Sequence, residues 1–124
     1  MGHKINPLGF RIGITELHRS NWYAKGKKYS ALVLQDHRIR TFLKERFMSA
    51  AVEKIQIDRK AERVVITMHA ARPGVIIGKR GAEIEALTKH LEEITTTGVK
   101  VNIQEVRKPD VVAQLVAENV AEQL

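Results

Sequence analysis

The regular part of the chain begins with apolar residues that recur at helical spacing. These positions are Leu32, Val33, Ile39, Leu43 and Phe47. Side chains at such spacing fall on one face of an α-helix, and basic residues take much of the remaining surface. The pattern predicts a helix over residues 29–48.

Two short runs rich in β-branched residues follow this helix. They cover residues 52–57 and 63–68, and a polar turn at residues 58–62 separates them. Runs of this composition with a short polar connection are typical of paired strands. We expect an antiparallel hairpin.

A second helical region follows the hairpin. Pro73 and Gly74 end the strand pattern and begin a short apolar turn, which residues 78–81 interrupt. Apolar residues then return at helical spacing, and they are Ile84, Leu87, Leu91 and Ile94. The spacing predicts a second long helix, which we expect to stop at Gly98.

Strict alternation marks the last strand. Val99, Val101 and Ile103 alternate with polar residues, as in a half-buried strand. Because a helix lies between this strand and the earlier ones, we expect it to pair in parallel with one of them. Asp110 then has the position of an N-cap for a final helix over residues 111–124.

The order helix, strand, strand, short helix, G-x-x-G loop, helix, strand resembles a type II KH domain, an α+β fold with a three-stranded sheet. Residues 1–28 lack periodicity and carry several Gly and basic residues, so they are interpreted as an extended basic arm. We expect the arm at 1–28, the domain at 29–108, and at 109–124 the first helix of a C-terminal domain that is missing here.

Charge narrows the choice of partner. The formal net charge is +7, and the sequence contains no Cys, which excludes disulfides and thiolate metal sites. Residues 1–30 carry six Lys or Arg against one acid, whereas residues 91–124 carry three against six. Such a basic N-terminal half favours a polyanion, namely RNA, DNA or anionic lipid.

Because no apolar run reaches membrane-spanning length, we expect a cytoplasmic protein without a membrane partner.

The G-x-x-G loop is the strongest candidate for chemistry. It consists of Gly78, Lys79, Arg80 and Gly81. Glycines let the backbone approach a sugar-phosphate chain, the two cations attract it, and a helix that begins at Gly81 adds unpaired N–H groups. Bases would then lie in a groove beside the loop. Its candidate lining residues, most of which we expect in the core instead, are Val75, Ile76, Ile77, Ile84, Leu87, Val101 and Ile103.

Four segments carry a closer resemblance. Residues 1–13, 22–24, 69–74 and 102–109 are similar, in order, to the bacterial small-subunit ribosomal protein of family three. The resemblance implies three kinds of partner in the head of the small subunit. These are 16S ribosomal RNA, neighbouring ribosomal proteins, and mRNA at the channel where it enters the subunit. The resemblance also implies RNA contacts by the arm and by flanking basic residues. These candidates are Lys4, Arg11, Arg19, Lys25, Lys27, Lys28, Arg72, Arg107 and Lys108.

An enzyme is not expected. Residues 74–79 superficially resemble a nucleotide-binding P-loop, but three residues separate the glycines instead of four, and Arg80 replaces the Mg²⁺-binding Ser or Thr. The five histidines show no metal-ligand spacing, so we expect neither a metal nor another cofactor. The alternatives left open are a stand-alone KH module in ribosome assembly or transcription, and a protein–protein module.

Overall fold

The structure, a computed structural model, describes residues 2–124. Its helices are α1 (Pro7–Arg11), α2 (Lys27–Arg46), α3 (Pro73–Ile77), α4 (Ala82–Thr95) and α5 (Ala113–Gln123). Its strands are β1 (Ser20–Asn21), β2 (Val52–Arg59), β3 (Arg63–Ala70) and β4 (Gly98–Glu105). Short 3-10 turns occupy Met48–Ala50, Lys79–Gly81 and Pro109–Val111.

The four strands form one sheet in the order β1-β2-β3-β4. β2 and β3 are antiparallel, with Ile57 opposite Ile66, and β4 runs parallel to β3, with Ile66 opposite Val101. The predicted hairpin and the predicted parallel strand are therefore confirmed, and each hairpin strand extends two residues further than its apolar run.

Two long helices, α2 and α4, cover one face of the sheet. Alternate residues of the strands turn inward and pack against α2 and α4, which follows from the period of two in a pleated strand. The fully buried large side chains are Ile39, Leu43, Ile57, Ile66, Met68, Ile76, Leu87 and Leu91. The opposite side of the sheet, here called the outer sheet face, carries polar side chains. No helix within residues 2–124 is long and apolar enough to cross a membrane.

Helix boundaries differ from the predicted ones. α2 begins at Lys27 and ends at Arg46, two residues earlier at each end than expected. α4 ends before Thr96, which has a left-handed φ of 58° and donates its N–H to the carbonyl of Glu92. The predicted stop at Gly98 is wrong, since Gly98 already begins β4. A non-glycine residue thus supplies the left-handed turn that the sequence had assigned to a glycine.

The predicted N-cap of the last helix is also wrong. Asp110 lies inside the 3-10 turn Pro109–Val111, and Val112 precedes α5 without a side-chain cap. α5 is held instead by burial of Leu115 and by Glu118, whose Oε1 accepts from Lys44 Nζ at 2.9 Å. Burial raises the pKa of Glu118, but hydrogen bonds from Gln114 and Lys44 outweigh it and lower the pKa overall.

The N-terminal segment has more structure than an extended arm. Asn6 caps α1 through Oδ1, which accepts from the N–H of Leu8 at 2.9 Å. β1 adds to the sheet in parallel with β2. The expectation of an extended segment is wrong at α1, and β1 gives the sheet four strands rather than three.

Buried polar contacts fix the segment after β1 to the domain. Trp22 Nε1 donates to Asp36 Oδ2 at 2.7 Å, and Asp36 Oδ1 accepts from Arg59 Nη2 at 2.5 Å and Nε at 3.1 Å. Arg40 of α2 donates to the carbonyl of Arg19 and to Ser20 Oγ, both at 2.9 Å. These contacts hold residues 19–22 against α2 and β2.

Candidate nucleic-acid interface

The G-x-x-G loop has an unusual backbone. Gly78, Arg80 and Gly81 all have positive φ, at 68°, 56° and 75°. Gly78 combines this φ with a ψ of −167°, a region essentially restricted to glycine. A Cβ at Gly78 would lie 2.4 Å from Glu83 Cγ, whereas one at Gly81 would meet open space. The loop is therefore a tight turn that closes on the first residues of α4.

The backbone and charges around this turn have the chemistry of an anion site. Gly81 is the N-cap of α4 and provides no side chain, so the first N–H groups of the helix receive no side-chain cap within the described residues. The exposed side chains of Lys79 and Arg80 stand immediately before the helix. The positive end of the helix dipole, open N–H groups and two cations together suit a phosphate.

An acid lies close to the same site. Glu83 occupies the first turn of α4, beside Gly78, and its Oε2 pairs with Arg46 Nη2 at 3.3 Å. The guanidinium of Arg46 lies over the ring of Phe42 at 5.8 Å and that of Phe47 at 5.7 Å. Arg46 partly neutralises the carboxylate that would otherwise repel a phosphate. Sequence reasoning missed this pair, because no spacing in the chain relates residues 46 and 83.

The predicted groove residues separate into two groups. Ile76 and Leu87 are completely buried and belong to the core. Val75 and Ile77 are 45% and 39% exposed, on the short helix that leads into the loop. Ile84, Val101 and Ile103 are partly buried. The apolar surface available to a base beside the loop is therefore formed mainly by Val75 and Ile77.

The basic arm residues are mostly open to solvent. Lys4, Arg11, Lys25, Lys27 and Lys28 are exposed. Arg19 is the exception, since it is half-buried and its Nε is enclosed without a hydrogen-bond partner in the described chain. Its carbonyl accepts from Arg40 and from the N–H of Ile57. Arg19 is therefore better placed to hold β1 than to contact a ligand.

The three flanking basic residues lie at one end of the sheet. β3 and β4 are parallel, so Arg72, which follows β3, and Arg107 and Lys108, which follow β4, share that end. The N–H of Val106 donates to the carbonyl of Ala70 at 3.0 Å and holds the two connections together. All three basic side chains are exposed, and Arg72 Nη1 donates to the carbonyl of Ser49 at 3.3 Å.

The comparison with protein families agrees with this geometry. The family model described as "KH domain" matches residues 38–111, which include the hairpin, the loop and β4. The chain belongs to the KH-domain family. The predicted α+β fold of a type II KH domain is confirmed, with β1 as an additional strand.

Curated relatives of this KH-domain chain bear a ribosomal name. The "Small ribosomal subunit protein uS3" of Desulfatibacillum aliphaticivorans is 50% identical over all 124 residues, which are 57% of that protein. The proteins of the same name from Trichlorobacter lovleyi and Geobacter sulfurreducens are 53% and 52% identical, and the chain covers 59% and 58% of them. The resemblance to small-subunit ribosomal proteins of family three is therefore confirmed. The chain spans less than two thirds of the length of these relatives.

No cluster of three or more His, Asp or Glu side chains suited to a metal ion occurs within residues 2–124.

Proposed function

We propose that this chain is an RNA-binding part of the small ribosomal subunit, where it contributes to structure without a catalytic step. The observation that carries the proposal is the cationic left-handed loop at the start of α4, within a KH domain that is about half identical to proteins named uS3. The partners are 16S ribosomal RNA of the subunit head, neighbouring head proteins and mRNA near the channel through which it enters. The compartment is the cytoplasm.

RNA contacts divide between two regions. At the loop, Lys79, Arg80 and the first N–H groups of α4 hold one stretch of backbone phosphates, and bases rest against Val75 and Ile77. At the N-terminus, exposed cations such as Lys4 and Lys25 follow the ribosomal RNA. Phosphate contacts of this kind position a protein on RNA without reading sequence.

A stand-alone KH module in ribosome assembly or transcription is the second candidate. It accounts for the loop equally well. It gives no reason for the similarity of residues 1–28 to ribosomal proteins, since the relatives match over the whole of the chain. We therefore place the ribosomal function first.

Reversing the loop charges tests the proposal. Lys79→Asp with Arg80→Asp should reduce affinity for an unstructured single-stranded RNA by about tenfold or more, because two phosphates are no longer neutralised. Asp is suitable at position 80, since it tolerates the left-handed φ there. The control is Arg38→Glu with Lys89→Glu, two exposed helix cations away from the loop, which makes the same change in net charge.

Binding is measured by filter retention across a salt series, with the single strand and with 16S head-domain RNA as probes. A weaker affinity in the loop variant and not in the control supports the loop as a single-strand site. If the affinity falls equally in the loop variant and the control variant, the loss is explained by the change in net charge alone. If the unmodified chain binds neither RNA above its non-specific level, the proposed function is wrong.

A further inference from the structure

The outer sheet face is polar and partly exposed. Its side chains lie in cross-strand rows that the register defines: Lys54, His69 and Gln104; Gln56, Thr67 and Asn102; and Asp58, Val65 and Lys100. Amides, a hydroxyl, an imidazole and ammonium groups dominate these rows, and Val65 is the only aliphatic side chain in them. The face therefore resembles neither an apolar protein interface nor an aromatic platform for stacked bases.

A basic depression forms the end of this face next to the β2–β3 turn. It has a volume of about 510 Å³ and is lined by Lys60, Ala61, Glu62, Arg63, Val65, Lys100 and Asn102. Three of these residues are cationic and one is acidic. Lys60, Arg63 and Lys100 are exposed, and none of them forms an ion pair within the described part of the chain.

The fold fixes the backbone positions of these three residues. Lys60 and Arg63 close the hairpin through the Lys60 N–H and the Arg63 carbonyl at 2.9 Å. Arg63 lies opposite Gly98 and Lys100 lies opposite Val65, so the two basic residues are diagonal neighbours on paired strands. Because Gly98 has no side chain, Arg63 has open space on the β4 side.

Asp58, on the outer sheet face of β2, forms no ion pair with this cluster within the described residues. Asp58 Oδ1 accepts from Asn21 Nδ2 at 2.9 Å, across the junction between β1 and β2. Its hydrogen-bond partner is an amide rather than a cation, although Asp58 lies diagonally from Arg63 and in the same cross-strand row as Lys100. Glu62, at the turn, is the one acid that lines the depression itself.

We propose that this depression binds the phosphodiester backbone of double-stranded RNA and so gives the domain a second RNA surface, on the side of the sheet away from the helices. The inference rests on the proposed RNA-binding function and extends it. Helical RNA is recognised through phosphates and 2′-hydroxyls across its minor groove, and the face offers cations for the former and amides for the latter. The scarcity of apolar and aromatic groups excludes stacking on unpaired bases as its main contact.

The loop and the depression lie in different layers of the fold. α2 and α4 pack on the inner face of the sheet, and the loop joins α3 to α4 on that side. Val65, Lys100 and Asn102 point to the other side, since their neighbours Val64 and Val99 are buried. One domain of this kind holds a single strand and a duplex at the same time.

Neutralising the two strand cations tests the second surface. Arg63→Gln with Lys100→Gln should reduce affinity for a blunt RNA hairpin by about tenfold and make its salt dependence less steep, by about one unit of slope for each phosphate that is no longer neutralised. Affinity for an unstructured RNA decamer should stay within about twofold, because the loop is intact. The matched control is Arg38→Gln with Lys89→Gln, and circular dichroism checks that every variant is folded.

The loop variant Lys79→Asp with Arg80→Asp should give the opposite pattern, with affinity for the decamer reduced by about tenfold or more and most of the affinity for the hairpin kept. A chain saturated with decamer should still bind the hairpin. Unchanged hairpin affinity in the Arg63 and Lys100 variant would overturn the proposed second RNA surface. A protein would then be the remaining candidate partner for the outer sheet face, and the proposed function of the loop would not be affected. Failure of the unmodified chain to bind both the decamer and 16S head-domain RNA would instead show that the proposed function is wrong.

Discussion

Gly78 and Gly81 have the same place in the loop motif but different physical roles. Gly78 has backbone angles that other residues avoid, and Glu83 fills the space where its Cβ would be. Gly81 has a left-handed φ of 75° with nothing beside it. From the sequence, both glycines were expected to allow a sharp turn and close approach to RNA. The structure adds that Gly78 is required by the turn itself, before any ligand binds.

Alanine substitution should separate these roles. Gly81→Ala should lower the free energy of unfolding by about 1–2 kcal/mol, the cost of a left-handed alanine. Gly78→Ala should lower it by about 2–4 kcal/mol, since the backbone must leave a glycine-only region and Glu83 must move. Urea unfolding of the two variants provides the measurement. Equal effects, or a larger effect at Gly81, would contradict the assigned geometry.

At the scale of elements, Asp36 links three parts of the fold. Its carboxylate, on α2, is 5% exposed and accepts from Trp22 of the N-terminal segment and from Arg59 at the end of β2. The Arg59 guanidinium also lies 5.9 Å from the Trp22 ring centroid. A buried ion pair of this kind is costly to break, because the remaining charge stays enclosed without a partner.

Asp36→Asn should therefore lower the free energy of unfolding by about 3–5 kcal/mol. It should also loosen the segment before α2. Trp22 is the only tryptophan, so its fluorescence reports this contact directly, and we expect its emission to move toward longer wavelength in the folded variant. Asp58→Asn is the control, since Asp58 accepts only from the exposed Asn21 and should cost less than about 1 kcal/mol. Unchanged Trp22 emission in Asp36→Asn would argue against this link.

Most elements that the sequence predicted have a long apolar pattern. α2, β2, β3, α4 and β4 each bury several residues at a regular period, and such patterns are visible without coordinates. β1 consists of two polar residues and is too short to show an alternating pattern. It forms because the carbonyl of Arg19 accepts hydrogen bonds from the Arg40 side chain and from the N–H of Ile57. Contacts between residues far apart in sequence leave no local signal.

The candidate site divides in the same way. The loop residues were predicted, because glycine spacing and charge are properties of a short segment. The Arg46–Glu83 pair and the basic depression between Arg63 and Lys100 were not, because helix packing and strand register bring their members together. The position of the left-handed Thr96 was missed for another reason, since threonine is a rare residue at such angles.

At the scale of the whole molecule, His69 connects stability to pH. Its ring lies on the outer sheet face, with Nε2 3.3 Å from Gln56 Oε1. Burial lowers the pKa of His69, the nearby Lys54 lowers it further, and Glu53 acts weakly in the opposite direction. The folded protein thus binds a proton at His69 less readily than the unfolded chain does, whose histidines titrate near about 6.5.

The sign of the effect follows from this difference in proton binding. Stability from His69 is fully present above the unfolded pKa and is lost as the pH falls from there through the lower folded pKa. We therefore expect urea unfolding to show a steeper loss of stability between about pH 7 and 5 for the unmodified chain than for His69→Gln, which cannot take up a proton at this position. Lys54→Gln should give an intermediate slope, because it removes one of the two causes of the lowered pKa and keeps the histidine. Identical pH profiles for the unmodified chain and His69→Gln would show that the imidazole has the same proton affinity in both states, and that the acid sensitivity of the fold lies elsewhere.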